Sequence, residues 1–302
     1  MCDLATRLPL LIGRLLDREA NLKRGRFREE TMTDIFTGAL AAFAGPELVI
    51  EYPVEAETGG DIDLRFWHVE TSRELHLRIQ AKRLNAMFNG KTMTKVAHRS
   101  YHELLHKPHT SVDYQFKTLV DAPDPWVPLY MFYNHQSVVE DPYFASGGPT
   151  VSGVNLAFAT DIAGEMQAKL DAATATPKSV KHHKRLSHLR KHLFGLDALL
   201  CPAGDWGGAG VPPPGAVSEA LRASWGARGQ GSARTKDEDV ILRILSEPDT
   251  LSPDRRPGRR ISDGPPVRVD RSLERPVVTF ISGRTDDDRT PSIAEDVRER
   301  RR

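Results

Sequence analysis

Two neighbouring stretches, GGDIDLRFWHV at 59–69 and ELHLRIQAKRL at 74–84, decide the fold that we predict for this chain. In each stretch apolar and polar residues alternate, which is typical of a β-strand whose two faces meet different surroundings. Asp63 lies on the polar face of the first predicted strand, and Gln80 and Lys82 share the polar face of the second. A short loop joins the two, so we expect a hairpin-like pair of strands that carries these side chains together.

This set of side chains suits the hydrolysis of a phosphodiester bond. Mg²⁺ prefers oxygen ligands, which a carboxylate on one strand and a carboxylate or amide oxygen on the next can supply. A lysine two residues further on points the same way, because the side chains of a strand alternate. It can orient or deprotonate the attacking water and stabilise the charge added at phosphorus. Asp63, followed 17 residues later by Gln80 and then by Lys82, fits this pattern.

At these residues the chain resembles the PD-(D/E)xK nuclease superfamily. The segments GGDIDL and IQAKR are most similar to its Gln-x-Lys branch, typified by Mrr-like type IV restriction endonucleases, in which Gln stands where most relatives have Glu. The longer pattern EETxTD…TGGDID…RIQAKRL…PLYMFYN also resembles a family of uncharacterised bacterial proteins suspected of roles in phage defence. The likeness covers about residues 27–135 and implies a restriction-endonuclease-like fold, Mg²⁺ or Mn²⁺ as cofactor, and nucleic acid, with DNA expected, as substrate.

Two assignments within this site stay open. Alternation places Asp61 and Asp63 on the same strand face, and the Ile-Asp dipeptide of the family pattern favours Asp63. An acid on the preceding helix is typical of the family, and helical spacing favours Glu29 over Glu30 there. The candidate catalytic residues are Glu29, Glu30, Asp61, Asp63, Gln80 and Lys82, and the candidate metal ligands among them are Glu29, Asp61, Asp63 and Gln80.

The remaining pattern predicts a mixed α/β domain. Apolar residues at helical spacing predict a helix within residues 1–26 that packs on the core. We place the nuclease domain at 27–200, with a mixed sheet flanked by helices. Further predicted helices and strands are a helix at 27–44, a helix at 112–122, a buried strand at 126–134, a short strand at 155–160 and helices at 161–173 and 178–196.

The last of these predicted helices is strongly basic. Leu186, Leu189 and Leu193 form its apolar stripe, around which lysines and arginines cluster. Such a helix can lie on phosphates, and a solvated face is an equally good interpretation. The candidate nucleic-acid contacts are Lys181, Lys184, Arg185 and Arg190.

The composition changes near residue 201. Gly, Pro, Arg, Asp and Ser dominate from there on, and such a composition buries too little apolar area to offset chain entropy. We therefore expect a largely disordered C-terminal tail over 201–302. Two apolar islands, at 237–247 and 275–283, could become ordered on a protein partner.

Global composition restricts function less than these motifs do. Lys and Arg number 42 and Asp and Glu 41, so any surface for nucleic acid must be local. Cys2 and Cys201 lie in no metal-binding spacing and form no disulfide framework, which favours the reducing cytoplasm. No apolar stretch is long enough for a membrane span, so we expect no membrane partner.

The first hypothesis is a cytoplasmic DNA endonuclease in host defence. A homodimer would suit it, because cutting both strands with this fold usually needs two sites. The alternative is a catalytically inactive nucleic-acid-binding module of the same fold in a larger complex, since Gln80 in place of Glu removes one negative charge from the metal site. A third hypothesis is an interaction protein that recruits partners through its tail.

Overall fold

A computed structural model describes most of the chain. The described residues are 1–19, 27–44, 48–50, 55–68, 73–86, 88–89, 92–93, 95–108, 113–121, 125–175, 184–204, 210–227, 236–246 and 277–282. Their α-helices are α1 (Cys2–Arg18), α2 (Glu29–Ala44), α3 (Glu55–Thr58), α4 (Gln115–Val120), α5 (Gln136–Val139), α6 (Pro142–Ala145), α7 (Ala159–Ala175), α8 (Leu186–Leu189), α9 (Asp197–Leu200), α10 (Pro214–Gly226) and α11 (Lys236–Ser246). Their strands are β1 (Leu48–Ile50), β2 (Ile62–His68), β3 (Arg73–Asn85), β4 (Phe88–Asn89), β5 (Thr92–Met93), β6 (Ser100–Tyr101), β7 (Trp126–Tyr133), β8 (Val154–Phe158), β9 (Lys184–Arg185), β10 (Phe194–Gly195) and β11 (Val277–Ser282). Short 3₁₀ helices lie at Val96–His98 and Arg190–His192.

The main sheet is mixed, with its strands in the order β1-β11-β2-β3-β7-β8-β10. Strand β2 pairs antiparallel with β3, β3 pairs parallel with β7, and β7 pairs antiparallel with β8. Helices lie on both faces of this sheet, so the predicted mixed α/β fold with a sheet flanked by helices is confirmed.

The two faces of the sheet contribute to two separate hydrophobic cores, because successive side chains along β2 and β3 point to opposite faces. Ile62, Leu64 and Ile79 face the larger core, which also contains the buried stripes of α1 and α2. Tyr130 and Phe132 of β7 face the smaller core, to which α4 and α7 contribute. The polar side chains of β2 and β3 point to this second side, and the candidate site lies there.

Several predicted elements are confirmed close to their expected bounds. The N-terminal helix is α1, the helix predicted over 27–44 is α2, and the two predicted strands are β7 and β8. In α2 an apolar stripe is buried, with Met32, Phe36 and Leu40 fully inaccessible. The helix predicted over 112–122 is shorter, since α4 has only six residues.

Within the predicted C-terminal tail, the structure describes three ordered elements. Helix α10 buries Val217 and Leu221, and α11 buries Ile241 and Leu245, all in the larger core. The backbone of β11 pairs with β2 and β1 inside the sheet. One apolar island, α11, thus packs on the chain's own core, and the other, β11, is paired within the sheet. Residues 205–209, 228–235, 247–276 and 283–302 lie outside the described residues.

The prediction of one basic helix over 178–196 is wrong. Residues 184–196 form β9, the single turn α8, a 3₁₀ turn and β10. The backbone bends because Leu186, Leu189 and Leu193 all reach the smaller core, where they are buried as predicted. Residues 178–183, Lys181 among them, lie outside the described residues.

The two cysteines are paired. Cys2 at the start of α1 and Cys201 after α9 form a disulfide, with their Cα atoms 4.6 Å apart. The expectation that they stand alone is therefore corrected. The sequence separation of 199 residues hid this pair, because only the tertiary fold brings the two ends together.

Within the described ranges, none of the helices combines the length and the apolar character needed to cross a lipid bilayer.

Candidate functional site

The turn before β2 brings the chain close to β3. Gly59 has a φ of +70°, and a Cβ there would lie 2.8 Å from the backbone nitrogen of Leu119 in α4. A Cβ on Gly60 would lie 2.7 Å from Cγ of Arg78. Only glycine accommodates both approaches without displacing a neighbour. The turn thus delivers Asp61 to β3, where its backbone N–H donates to the Ile79 carbonyl at 2.8 Å.

Asp61 lies against Gln80. Its Oδ2 accepts hydrogen bonds from Gln80 Nε2 at 2.5 Å and from the backbone N–H of Ala81 at 2.8 Å. Gln80 is fully buried, and its Oε1 has no hydrogen-bond partner among the described residues. Leaving such an atom without a partner costs about 1–3 kcal/mol. The amide oxygen is therefore a strong candidate to face a cation beside the Asp61 carboxylate.

Lys82 lies next along the same strand face and meets the helix acid. Its Nζ donates to Glu29 Oε1 at 2.8 Å, while Glu29 Oε2 accepts from the backbone N–H of Arg83 at 3.2 Å. Glu30 is exposed. Of the two predicted helix acids, the structure brings Glu29 to the strands and leaves Glu30 outside.

The charges of this ion pair shift each other's pKa. Burial opposes the charge on Lys82, but the Glu29 carboxylate outweighs it and raises the pKa of Lys82 above its ordinary value. Burial raises the pKa of Glu29, against the influence of Lys82. At neutral pH Lys82 is therefore an ammonium, which donates hydrogen bonds and neutralises negative charge but does not accept a proton.

Asp63 is held differently from Asp61. It pairs side by side with Arg78, whose Nε and Nη2 donate to its two carboxylate oxygens at 3.0 and 2.9 Å. The two side chains are opposite in the β2–β3 register and are 3% and 8% exposed. The structure thus brings Glu29, Asp61, Gln80 and Lys82 together and commits Asp63 to an arginine one rung away.

Glu55 is a further acid of this region that the sequence analysis did not select. Its charge contributes to the raised pKa of Lys82, and its Oε1 accepts from Gln115 Nε2 at 2.5 Å. It lies at the start of α3, where the Gly59 N–H closes a helical turn on the Glu55 carbonyl at 2.8 Å, and no local sequence pattern marks it.

The predicted nucleic-acid contacts of the basic segment are mostly engaged within the protein. Lys184 Nζ donates to Glu165 at 2.5 Å, and the Arg190 guanidinium donates to the carbonyls of Pro149 and Phe144 at 2.9 Å each. Arg185 is exposed, and Lys181 lies outside the described residues.

The Glu165 carboxylate is the centre of this basic cluster. Burial opposes its charge, but hydrogen bonds from Lys184, Lys191 and His192 hold its pKa at about 2. These contacts tie the segment after β9 to α7, which is a structural role.

Carboxylates, histidines and cysteines alone do not form a metal site here. Within the described ranges, no group of three or more such side chains is placed to hold an ion.

A family model described as "Family of unknown function (DUF6615)" matches residues 1–296, and the chain therefore belongs to that family. No curated protein and no solved structure matches the chain significantly.

Proposed function

We propose that this DUF6615 protein is a metal-dependent nuclease that hydrolyses phosphodiester bonds, with DNA as its substrate and host defence as its setting. One observation carries the proposal: the buried Oε1 of Gln80 has no donor and lies on the rung of the Asp61 carboxylate, one step from the Lys82 ammonium. An acid, an amide oxygen and a lysine on adjacent strands form the set that a Gln-x-Lys nuclease would need.

The residues that would hold Mg²⁺ or Mn²⁺ are Asp61 and Gln80, since Lys82 and the Arg83 backbone N–H engage both carboxylate oxygens of Glu29. Both ions prefer oxygen ligands, and these side chains offer carboxylate and amide oxygens. When bound, such an ion polarises the phosphate and lowers the pKa of a coordinated water. We assign Asp61 rather than Asp63 as the ligand, because Arg78 occupies both carboxylate oxygens of Asp63.

Lys82 serves the phosphate in this proposal. Its ammonium is preformed and buried, so it stabilises the negative charge that develops at phosphorus without first having to reorganise. Glu29 is a positioning residue for it, since the carboxylate fixes Nζ and also caps the backbone of the next residue. The raised pKa makes Lys82 a donor, which leaves deprotonation of the water to another group.

Cleavage assays test this assignment directly. The full chain is incubated with plasmid, single-stranded DNA and RNA in Mg²⁺, Mn²⁺ or EDTA, beside Lys82→Ala and the matched control Lys107→Ala. We expect cleavage that EDTA abolishes and that Lys82→Ala lowers by about 100- to 1,000-fold. Lys107 is exposed and remote from the ion pair, so its variant should cleave as the wild type does. Cleavage that survives EDTA, or that Lys82→Ala leaves intact, would contradict the proposal.

A second candidate function is binding without catalysis. It is favoured by the neutral side chain of Gln80 and by the lack of a three-member acidic or histidine cluster in the described part of the chain. This function predicts nucleic-acid binding with no cleavage in either metal. Recruitment of a protein partner by the tail has less support, because β11 and α11 already pack on the core.

A further inference from the structure

A second polar group lies on the same sheet face, at the far end of β2. Its centre is Trp126, a partly exposed residue at the start of β7 that is paired in register with His76. The guanidinium carbon of Arg78 lies 4.4 Å from the indole centroid, and that of Arg65 lies 5.8 Å from it. The His76 ring meets the indole edge-on at 4.8 Å.

The two arginines of this group differ in their partners. Arg78 is neutralised by Asp63 through two hydrogen bonds. Arg65 takes part in no ion pair among the described residues, and its Nε is buried without a hydrogen-bond partner. Arg65 as a whole is half-buried, and a guanidinium with no carboxylate partner among the described residues can still take an anion. An indole that is partly exposed beside it offers a flat apolar surface.

We propose that Arg65 and Trp126 form a subsite for single-stranded nucleic acid, in which Arg65 binds a backbone phosphate and Trp126 stacks an unpaired base. The inference rests on the proposed function and names the form of the substrate. Phosphate contacts by cations and stacking on aromatic side chains are the two interactions with which proteins bind single strands. Paired bases of an intact duplex stay stacked on each other, so they cannot stack on the Trp126 indole.

The subsite lies on the same sheet face as the candidate centre. Asp61 and Arg65 share one face of the β2 segment, and four residues at ~3.3 Å each separate them by about 13 Å. The Asp63–Arg78 pair occupies the rung between them and carries no net charge.

Fluorescence anisotropy in EDTA separates binding from cleavage. The probe is a labelled oligothymidylate of about 12 nucleotides, which exceeds the smallest single-strand sites. A blunt duplex of equal length is measured beside it. The proteins are the full-length wild type, Arg65→Gln, Trp126→Ala, Trp126→Phe and the control Arg222→Gln, an exposed arginine of α10. Circular dichroism and thermal melting verify that each variant is folded, and Trp126→Phe preserves an aromatic ring should the alanine variant fail.

The two substitutions should have different signatures. Arg65→Gln removes one phosphate contact, so it weakens binding and lowers the slope of log K against log salt by about 0.7. Trp126→Ala weakens single-strand binding by about 5- to 150-fold at an unchanged salt slope, because stacking releases no counterions. Trp126→Phe recovers part of that loss. Duplex binding should be insensitive to both changes at Trp126, and Arg222→Gln should resemble the wild type.

The outcomes separate this subsite from the proposed catalysis. If the wild type binds the single strand and the Arg65 and Trp126 variants bind equally well, or if no strand binds at all, the subsite is wrong. If binding follows these substitutions and no metal supports cleavage, the subsite holds and the proposed nuclease activity fails.

Discussion

Asp61 and Asp63 lie two residues apart on one face of the same strand segment, and their neighbours across the ladder make them chemically different. Asp61 faces Gln80, a neutral amide that donates to its carboxylate and to the Ala81 carbonyl and whose oxygen has no partner among the described residues. Asp63 faces Arg78, a cation that fills both of its oxygens. The same residue type thus serves as a candidate ligand on one rung and as part of a closed ion pair on the next. The side chain opposite a carboxylate, and not the carboxylate itself, decides which role it has.

Breaking the closed pair should have the largest effect. Asp63→Asn leaves the Arg78 charge buried without its partner, which costs about 3–5 kcal/mol in the free energy of unfolding. Urea unfolding measures this loss. The control is Asp3→Asn, which removes a surface pair with Arg7 at 3.8 Å and should cost less than about 1 kcal/mol. The double replacement Asp63→Leu with Arg78→Met should recover most of the stability. Equal losses of stability in Asp63→Asn and Asp3→Asn would contradict the comparison.

A substitution on the Asp61 rung should lower the activity more than the stability. Asp61→Asn keeps the size of the side chain and one acceptor oxygen, so we expect the fold to persist. Cleavage should fall by at least about 100-fold, because losing a residue that only supports a metal ligand already costs up to about 100-fold. Asp63→Asn, assayed at a temperature where it is folded, should retain activity within about tenfold of the wild type, because Asp63 binds Arg78 and is not a ligand of the proposed ion. Initial rates on one plasmid substrate compare the two, and a larger loss in the Asp63 variant would reverse our assignment.

Glu165, a carboxylate outside the candidate site, tests how the stability of an ion pair depends on pH. Glu165 has a folded pKa of about 2 against 4.5 for the free side chain, so its contribution to stability is present above about pH 4.5 and is lost as the pH falls toward 2. Glu165→Gln should cost about 2 kcal/mol near neutral pH, after allowance for partial exposure. Unfolding measured between about pH 7 and pH 3 should show the gap to the wild type narrowing below pH 4.5. A gap that is constant with pH would show that packing, and not charge, holds this segment.

The smallest expected effect comes from replacing Gln80, the neutral partner of Asp61, and concerns the affinity for Mg²⁺. Gln80→Glu places a second carboxylate beside Asp61, so Mg²⁺ should bind about tenfold more tightly, equivalent to about 1.4 kcal/mol. Calorimetric titration measures the affinity, and Gln136→Glu on α5 provides a control in which a second carboxylate joins Glu140 at the surface. An unchanged affinity in Gln80→Glu would mean that this side chain does not approach an ion.

The sequence predicted which strands carry the site, because alternation depends only on neighbouring residues. It could not choose between Asp61 and Asp63, since a period of two places both on one face. The choice depends on which residue of β3 stands opposite, and that register is set by the Gly59–Gly60 turn and its approach to α4. Register is a property of two segments together, so no pattern within one segment contains it.

The less accurate predictions share the same cause. The basic segment has helical spacing, yet its leucines enter the core through a bend that packing imposes. The polar composition after residue 201 outweighed two short apolar islands, although the packing of α11 and the pairing of β11 depend on partners far earlier in the chain. The two cysteines were likewise judged from local spacing. Each error concerns contacts between distant residues, which local propensity does not encode.

The late position of β11 in the chain determines when the sheet can be completed during synthesis. It lies between β1 and β2 in the sheet, yet residues 69–276 of the chain separate it from the strand it completes. At ~5–20 residues per second a ribosome needs roughly 10–40 s to synthesise that stretch. During this interval the nascent chain already contains Asp61, Gln80 and Lys82 while the outer edge of β2 lacks its partner. We therefore expect the sheet around the proposed centre to close only after residue 282 has left the ribosome.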